Sequence, residues 1–181
     1  MDHVFGYGSL VNHDTHDHRP VQTAKLTGWR REWCLTSLRD VAFLSVRRAE
    51  GSEIEGLLAP VEPTAWAELD ARERAYDRHD ASHQISGAQG KVAVYQITPT
   101  LRASGEGGIL LSYLDVVVQG YLAHFGEAGV DRFFASTDRW DRPILDDRAA
   151  PVYPRHRRLS PTEKDLVDQH IAALALSIRP L

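Results

Sequence analysis

The sequence predicts one α+β domain built on a compact mixed sheet or small barrel. Its first two-thirds hold β-branched and aromatic segments bounded by Gly, Pro or polar turns, which is typical of strands. Its last third holds apolar segments long enough for helices, and 181 residues suffice to bury a core without disulfides. Strands that neighbour in sequence and are followed by helices favour an α+β fold, here a single domain over residues 1–181.

Five segments of the first two-thirds have strand character. A helix is predicted between the last two of them, from about Pro63 to Tyr76, because Pro63 suits a first helical turn. The polar, Gly- and His-containing stretch Asp77–Gly90 is predicted to be a loop. The predicted strands are His3–Tyr7, Ala24–Leu38, Val41–Arg47, Ile54–Val61 and Lys91–Thr98.

Helices are predicted for the remainder of the chain. A nearly all-round apolar helix spans Ile109–Phe125, and a short one lies near Val130–Ala135. After a loop, Ser-Pro-Thr-Glu opens the last helix, where Ser160 and Glu163 have the spacing of a capping box.

Composition and charge favour an ordinary soluble globular protein. The formal net charge of −4 argues against nucleic acid as the main partner. The single cysteine, Cys34, excludes an intrachain disulfide framework and suits a reducing compartment. No basic-then-apolar leader precedes Val4, and Ile109–Phe125 is short for a membrane span. We therefore expect a cytoplasmic protein that binds no membrane. Its expected assembly is a monomer or homodimer.

The stretch VFGYGSL, Val4 to Leu10, places two glycines and a hydroxyl directly after the first strand. Gly6 and Gly8 can take positive φ and allow a second group to approach the backbone closely. A turn of successive exposed N–H groups can bind an anion or a developing oxyanion. The alternative interpretation is a tight turn that leaves an edge strand.

The predicted helix WAELDARERAY carries a carboxylate on its apolar face. At about 100° per residue, Glu73 shares that face with Leu69, whereas Arg72 points elsewhere. Burial raises the pKa of an inward carboxylate, which suits general acid–base chemistry near neutral pH. The alternative is a buried ion pair, for example with one of three arginines, Arg30, Arg47 or Arg148.

These motifs together resemble the gamma-glutamylcyclotransferase-like superfamily, which includes the ChaC-type enzymes. The resemblance spans about residues 3–125 and rests on VFGYGSL, GWRREWC, the LDARERAY helix and the later SYLDVVVQG. It implies a small mixed β-barrel flanked by helices. It also implies a transferase or lyase of γ-glutamyl and glutathione metabolism that needs no cofactor. The implied reaction cyclises a γ-glutamyl group to 5-oxoproline and releases an amine or amino acid.

The resemblance also assigns roles to residues. The substrate's α-amine attacks its own γ-carbonyl, and one glutamate can first remove a proton and later return one. That catalytic residue is Glu73. Tyr113 matches a tyrosine that packs against the glutamyl group in relatives, although Ile109-Leu110 replaces the Pro-Ser that often precedes it. The implied substrate-binding residues are Tyr7, Gly8, Ser9, Leu10 and Tyr113.

Two other polar clusters are candidates for different roles. His13, His16 and His18 could bind zinc through imidazole nitrogens, but no second ligand cluster follows, so no metal is predicted. The loop that contains Asp138–Arg148 could form a rigid, ion-paired lid or an interface, and a structural network around Arg142 and Arg148 is the favoured interpretation. Arg148 could alternatively bind the α-carboxylate of the substrate in a bidentate manner.

Two functions from different classes fit the sequence. The preferred one is a cyclising enzyme, and its rival is a non-catalytic module that binds a γ-glutamyl-like anion. An inward carboxylate at Glu73 favours the enzyme, because a pure anion binder gains nothing from negative charge there. The sequence leaves glutathione, γ-glutamyl amino acids and γ-glutamyl amines open as substrates.

Overall fold

The main sheet is built around a long central hairpin. The computed structural model describes residues 1–181 and contains ten strands and three helices, numbered in chain order. The strands are β1 (His3–Gly6), β2 (Gln22–Thr36), β3 (Arg39–Pro60), β4 (Tyr76–Asp80), β5 (Val92–Ile97), β6 (Arg102–Ala103), β7 (Ile109–Leu110), β8 (Thr137–Asp138), β9 (Ile144–Asp146) and β10 (Ile178–Pro180).

The strand order of the main sheet is β4-β5-β1-β3-β2-β6, with β8 paired to β2. The sheet is mixed, because β1 runs antiparallel to β3 and parallel to β5. It curls into a half-barrel, and β7, β9 and β10 form a second, three-stranded sheet. The α+β class and the mixed sheet are thereby confirmed.

The two long strands β2 and β3 form an irregular ladder. Their register shifts between Thr27 and Trp29, whose partners on β3 are Glu53 and Arg48. Gly28 lies at this shift with φ of +80°, a conformation that glycine adopts without strain. On β3 the irregularity lies between the two predicted strands Val41–Arg47 and Ile54–Val61. The structure joins these two predicted strands into the single strand β3.

The helices are α1 (Trp66–Arg72), α2 (Leu111–Ala135) and α3 (Pro161–Ala173). The predicted break between two apolar helices is confirmed as a kink within α2 at Gly126, which has φ of 66°. The predicted start of that helix at Ile109 is wrong, because Ile109–Leu110 pairs with β9 as β7. The capping box of α3 is confirmed. None of the helices is long and apolar enough to cross a membrane.

The prediction of a loop over Asp77–Gly90 is wrong at its start. Residues from Tyr76 to Asp80 form β4, an edge strand that pairs antiparallel with β5. Its charged side chains Asp77, Arg78 and Asp80 face solvent, as is common on edge strands. Such a strand lacks the apolar alternation on which a sequence-based assignment depends.

The core between the main sheet and α2 contains one buried cation. Arg31 is 1% exposed, and burial lowers the pKa of its guanidinium. It donates to neutral acceptors only: the hydroxyls of Tyr121, Ser136 and Thr137 and the Glu55 carbonyl. These hydrogen bonds connect the hairpin to α2 and the segment after it.

Candidate active site

The turn after β1 brings two glycines against other parts of the chain. Neither Gly6 nor Gly8 has a positive φ, so that expectation from the sequence is wrong. Close approach is what requires them: a Cβ on Gly6 would lie 2.6 Å from the Leu10 Cβ. A Cβ on Gly8 would lie 2.8 Å from the Tyr113 hydroxyl oxygen.

The same turn presents backbone N–H groups. A short 3-10 helix, Ser9–Val11, follows Gly8, and the Val11 N–H donates to the Gly8 carbonyl at 2.9 Å. The Gly8 N–H has no acceptor within the protein. The Tyr113 hydroxyl faces the Ser9 backbone, which opposes the rise that burial causes in the pKa of Tyr113. Adjacent N–H groups of this kind can bind developing negative charge.

Glu73 lies at the end of α1 rather than within a helix that continues to Tyr76. The helix ends at Arg72, and Glu73 is its C-cap residue with φ of −95° and ψ of 30°. The Tyr76 N–H donates to the Glu73 carbonyl, and β4 begins at Tyr76. The predicted inward orientation of Glu73 is confirmed, since its side chain is only 16% exposed.

Arg72 is the ion-pair partner of Glu73. Its Nε lies 3.0 Å from Glu73 Oε1, and its other nitrogens donate to the Thr15 carbonyl and the Ser9 hydroxyl. The expectation that Arg72 points away is wrong, because its long side chain reaches around the helix end. The three arginines considered as alternative partners bind other carboxylates: Arg30 and Arg47 bind Asp138, and Arg148 binds Asp115 and Asp168.

The electrostatics of Glu73 favour a carboxyl group that can exchange a proton. Burial raises its pKa, although Arg72 and Arg155 oppose the shift. Arg72 binds only Oε1, so Oε2 accepts no hydrogen bond from the protein. One oxygen is thus held in place while the other remains free to bind a proton.

The sequence-predicted site residues surround one small cavity of about 30 Å³, which is enough for one water molecule. All six, namely Tyr7, Gly8, Ser9, Leu10, Glu73 and Tyr113, line it. Proximity does not test their individual roles, which stay predictions.

Two tyrosines of the cavity differ in what their side chains do. The Tyr7 hydroxyl donates to the Tyr95 carbonyl at 2.6 Å, so the Tyr7 side chain is bound to the backbone of β5 and has a structural role. The Tyr7 carbonyl in turn accepts from the Tyr121 hydroxyl at 3.0 Å. The Tyr113 ring packs edge-on against Tyr153 and its hydroxyl faces the glycine turn. Burial raises the pKa of that hydroxyl.

Sequence reasoning missed two contributors to this site. Arg72 was placed on the wrong side of the helix, and Tyr95 was not singled out. Tyr95 lies on β5 beside β1, and its hydroxyl donates to Asp70 of α1. Arg72 could have been noticed as the residue adjacent to the inward glutamate, whereas the position of Tyr95 depends on strand order.

The other candidate clusters lie outside the cavity. His13 contacts His124, and His16 contacts the Leu10 carbonyl, so the histidines of the loop are not directed at a common point. No group of three His, Cys, Asp or Glu side chains is arranged to hold a metal ion. Arg148 is occupied by Asp115 and Asp168, which argues against its binding a substrate carboxylate.

Comparisons with known proteins place this geometry in context. The fold is similar to "uncharacterized protein loc79017 from Homo sapiens" (14% identity, TM-score 0.60, covering 92% of this chain and 98% of that one). It is also similar to a structure named "Gamma-glutamyl cyclotransferase" (13%, 0.58, covering 93% and 98%). YkqA from Bacillus subtilis is a third (16%, 0.54), where the match covers 72% of this chain and 52% of that one.

Identities this low establish the fold alone, and the search of curated proteins finds no match. The sequence itself carries further information. The profile of one family, described as "Gamma-glutamyl cyclotransferase, AIG2-like", matches residues 4–111, which is more than half of the chain. That segment contains the glycine turn, Arg72 and Glu73. The chain therefore belongs to the gamma-glutamyl cyclotransferase, AIG2-like family.

Proposed function

We propose that the protein is a γ-glutamyl cyclotransferase that converts γ-glutamyl compounds, such as glutathione or γ-glutamyl amino acids, into 5-oxoproline and a free amine. The observation that carries the proposal is the position of Glu73. A buried carboxyl group with a raised pKa and one unpaired oxygen lines the same cavity as the glycine turn. A base beside a set of backbone donors is what an acyl-transfer reaction requires.

Glu73 acts as base and then as acid. As base it removes a proton from the substrate's α-ammonium group, and the freed amine attacks the γ-carbonyl carbon of the same molecule. A C–N bond forms and closes the five-membered ring. When the original amide C–N bond breaks, Glu73 returns the proton to the departing nitrogen, and the ring nitrogen passes its second proton to the released amine, which leaves as an ammonium ion. Because nucleophile and carbonyl belong to one molecule, correct folding of the substrate supplies much of the rate.

The glycine turn stabilises the oxyanion. The Gly8 N–H is free to donate, and the Ser9 N–H faces the Tyr113 hydroxyl, which the carbonyl oxygen of the substrate replaces. A γ-glutamyl group is larger than a cavity of about 30 Å³, so Tyr113 must swing outward when the substrate binds. Tyr113 is partly exposed and can then cover the glutamyl group.

No other component is required by this scheme. The attack is intramolecular, so Ser9 need not act as a covalent nucleophile. We propose a small-molecule substrate, no cofactor, and no role for nucleic acid or membranes. We also propose that the protein is located in the cytoplasm and that it is a monomer or a homodimer.

Incubation of the purified protein with a panel of γ-glutamyl compounds tests the proposal. We expect 5-oxoproline and the free amine in equal amounts. Glu73→Gln should abolish their formation, whereas Glu68→Gln, on the exposed face of the same helix, should not. If γ-glutamyl compounds raise the Tm without any turnover, the protein is instead a binding module.

A further inference from the structure

A groove of about 350 Å³ opens beside the cavity and shares two of its walls, Tyr76 and Tyr113. Its apolar surface includes Val41, Phe43 and Tyr153. In the proposed reaction, the glutamyl group occupies the cavity between the glycine turn and Glu73. The other side of the scissile amide therefore extends through the shared walls into this groove.

The charge of the groove is of one sign. Four arginines line it and no acidic residue does, although the formal net charge of the protein is −4. One of them, Arg72, is engaged with Glu73. The other three, Arg39, Arg74 and Arg155, form no salt bridge.

These three arginines come from separate parts of the chain. Arg39 begins β3, Arg74 follows α1, and Arg155 lies in the segment between β9 and α3. A single run of basic residues is commonly a solvated surface, but convergence of three segments on one groove without counter-charge creates a local positive potential. Arg155 is close enough to Glu73 to lower the pKa of that carboxyl group, against the larger effect of burial.

We propose that Arg39, Arg74 and Arg155 are specificity-determining residues that select γ-glutamyl compounds with an acidic leaving portion, with a preference that rises with its negative charge. This inference rests on the proposed cyclotransferase function. A guanidinium binds a carboxylate through two parallel hydrogen bonds, and such charge-assisted bonds are about twice as strong as neutral ones. Because one carboxylate pairs with one arginine, a groove with three arginines favours a leaving portion that carries more than one carboxylate.

Three substrates differ stepwise in the charge of the leaving portion. γ-Glutamyl-ethylamide releases an amine without a carboxylate, γ-glutamyl-alanine adds one carboxylate to the same carbon skeleton, and γ-glutamyl-glutamate adds a second. We expect kcat/KM to rise about tenfold from the first to the second, the lower end of what a hydrogen bond to a charged group contributes, and further to the third. The differences should shrink at high ionic strength.

Substitution of the arginines assigns the preference to the groove. In Arg155→Gln and Arg74→Gln, the ratio of kcat/KM for γ-glutamyl-glutamate to that for γ-glutamyl-ethylamide should fall about tenfold. A change in the reactivity of Glu73 would alter kcat/KM for both substrates by the same factor, because both use the same base, and would therefore leave their ratio unchanged. Arg179→Gln, at an exposed arginine of β10 that does not line the groove, should leave the ratio unchanged.

Two failures are distinguishable. If no substrate yields 5-oxoproline, the proposed function is wrong. If all three are turned over with equal kcat/KM, or if the arginine variants keep the wild-type ratio, the cyclotransferase stands and the proposed selection by charge is wrong.

Discussion

Two buried carboxylates of this protein each face an arginine, and the two pairs are built differently. Asp115 on α2 receives two hydrogen bonds from Arg148, at 2.8 and 2.9 Å, one on each oxygen. Glu73 receives a single hydrogen bond from Arg72, and one of its oxygens remains free. Arg148 is further fixed by Asp168, whereas Arg72 also holds the Ser9 hydroxyl beside the glycine turn.

The direction of the pKa shift does not separate the two carboxyl groups, because burial raises the pKa of both. The geometry does. A carboxylate with both oxygens bound by one guanidinium has little capacity to accept a proton, and such a pair connects elements of the fold. A carboxylate with an unpaired oxygen at a cavity wall can carry a proton between substrate atoms. This comparison favours a structural role for Asp115 and supports the proposed chemical role of Glu73.

The largest expected effect comes from removing the negative charge at each carboxylate in turn. Glu73→Gln should lower kcat/KM by about two to four orders of magnitude, because general acid–base catalysis is lost. Asp115→Asn should retain wild-type kcat per folded molecule and lower the Tm instead. Kinetics with titrated folded protein and thermal melts measure both effects. A near-active Glu73→Gln variant would remove this residue from the mechanism.

Removal of the arginine from the structural pair tests the other half of the comparison. Arg148→Met leaves Asp115 buried without its partner, which should lower the free energy of unfolding by about 3–5 kcal/mol. Denaturant unfolding measures this loss. Arg179→Met, at an exposed position, should change it by less than about 0.5 kcal/mol. Equal effects of the two substitutions would contradict the structural role of Arg148.

The glycine turn should matter for activity rather than for stability. A Cβ at Gly8 would lie 2.8 Å from the Tyr113 hydroxyl, at the far end of a side chain that can move. Gly8→Ala should therefore cost little stability but lower kcat/KM about a hundredfold, as when one oxyanion donor is lost. Ser9→Ala should have a smaller effect, because it removes only the hydroxyl that accepts from Arg72. An inactive Ser9→Ala with a trapped acyl-serine would instead indicate covalent catalysis.

The smallest expected effect is a pH-dependent difference in stability. The raised pKa of Glu73 in the folded state favours its protonated form. The contribution of protonated Glu73 to the free energy of unfolding is fully present below the pKa of the residue in the unfolded chain, about 4.3. This contribution is lost as pH rises through the higher pKa of the residue in the folded protein. Glu73→Gln cannot titrate, so its stability relative to wild type should increase over that window. A difference that stays constant from pH 4 to 8 would argue against the shift.

Features encoded by adjacent residues were predictable from the sequence. The capping box forms as expected, since the Glu163 N–H donates to Ser160 Oγ and the Ser160 N–H to the Glu163 carboxylate. The inward face of Glu73 followed from helical spacing. The edge strand β4 was missed because its charged residues resemble those of a loop. Adjacency to Glu73 marks Arg72 as a candidate partner, but the direction of its side chain depends on where α1 ends and on how far the side chain reaches.

The buried cation in the core has a consequence for the donor strength of the glycine turn. Arg31 donates to the Tyr121 hydroxyl at 2.8 Å, and that hydroxyl shares its single hydrogen between the Glu55 carbonyl at 2.7 Å and the Tyr7 carbonyl at 3.0 Å. The Tyr7 carbonyl and the Gly8 N–H belong to the same planar peptide group, so anchoring the oxygen also fixes the direction of the N–H. Successive hydrogen bonds polarise one another, by about 10–30% per bond. A positive charge deep in the sheet thereby makes the Gly8 amide a stronger donor, without contacting the cavity itself.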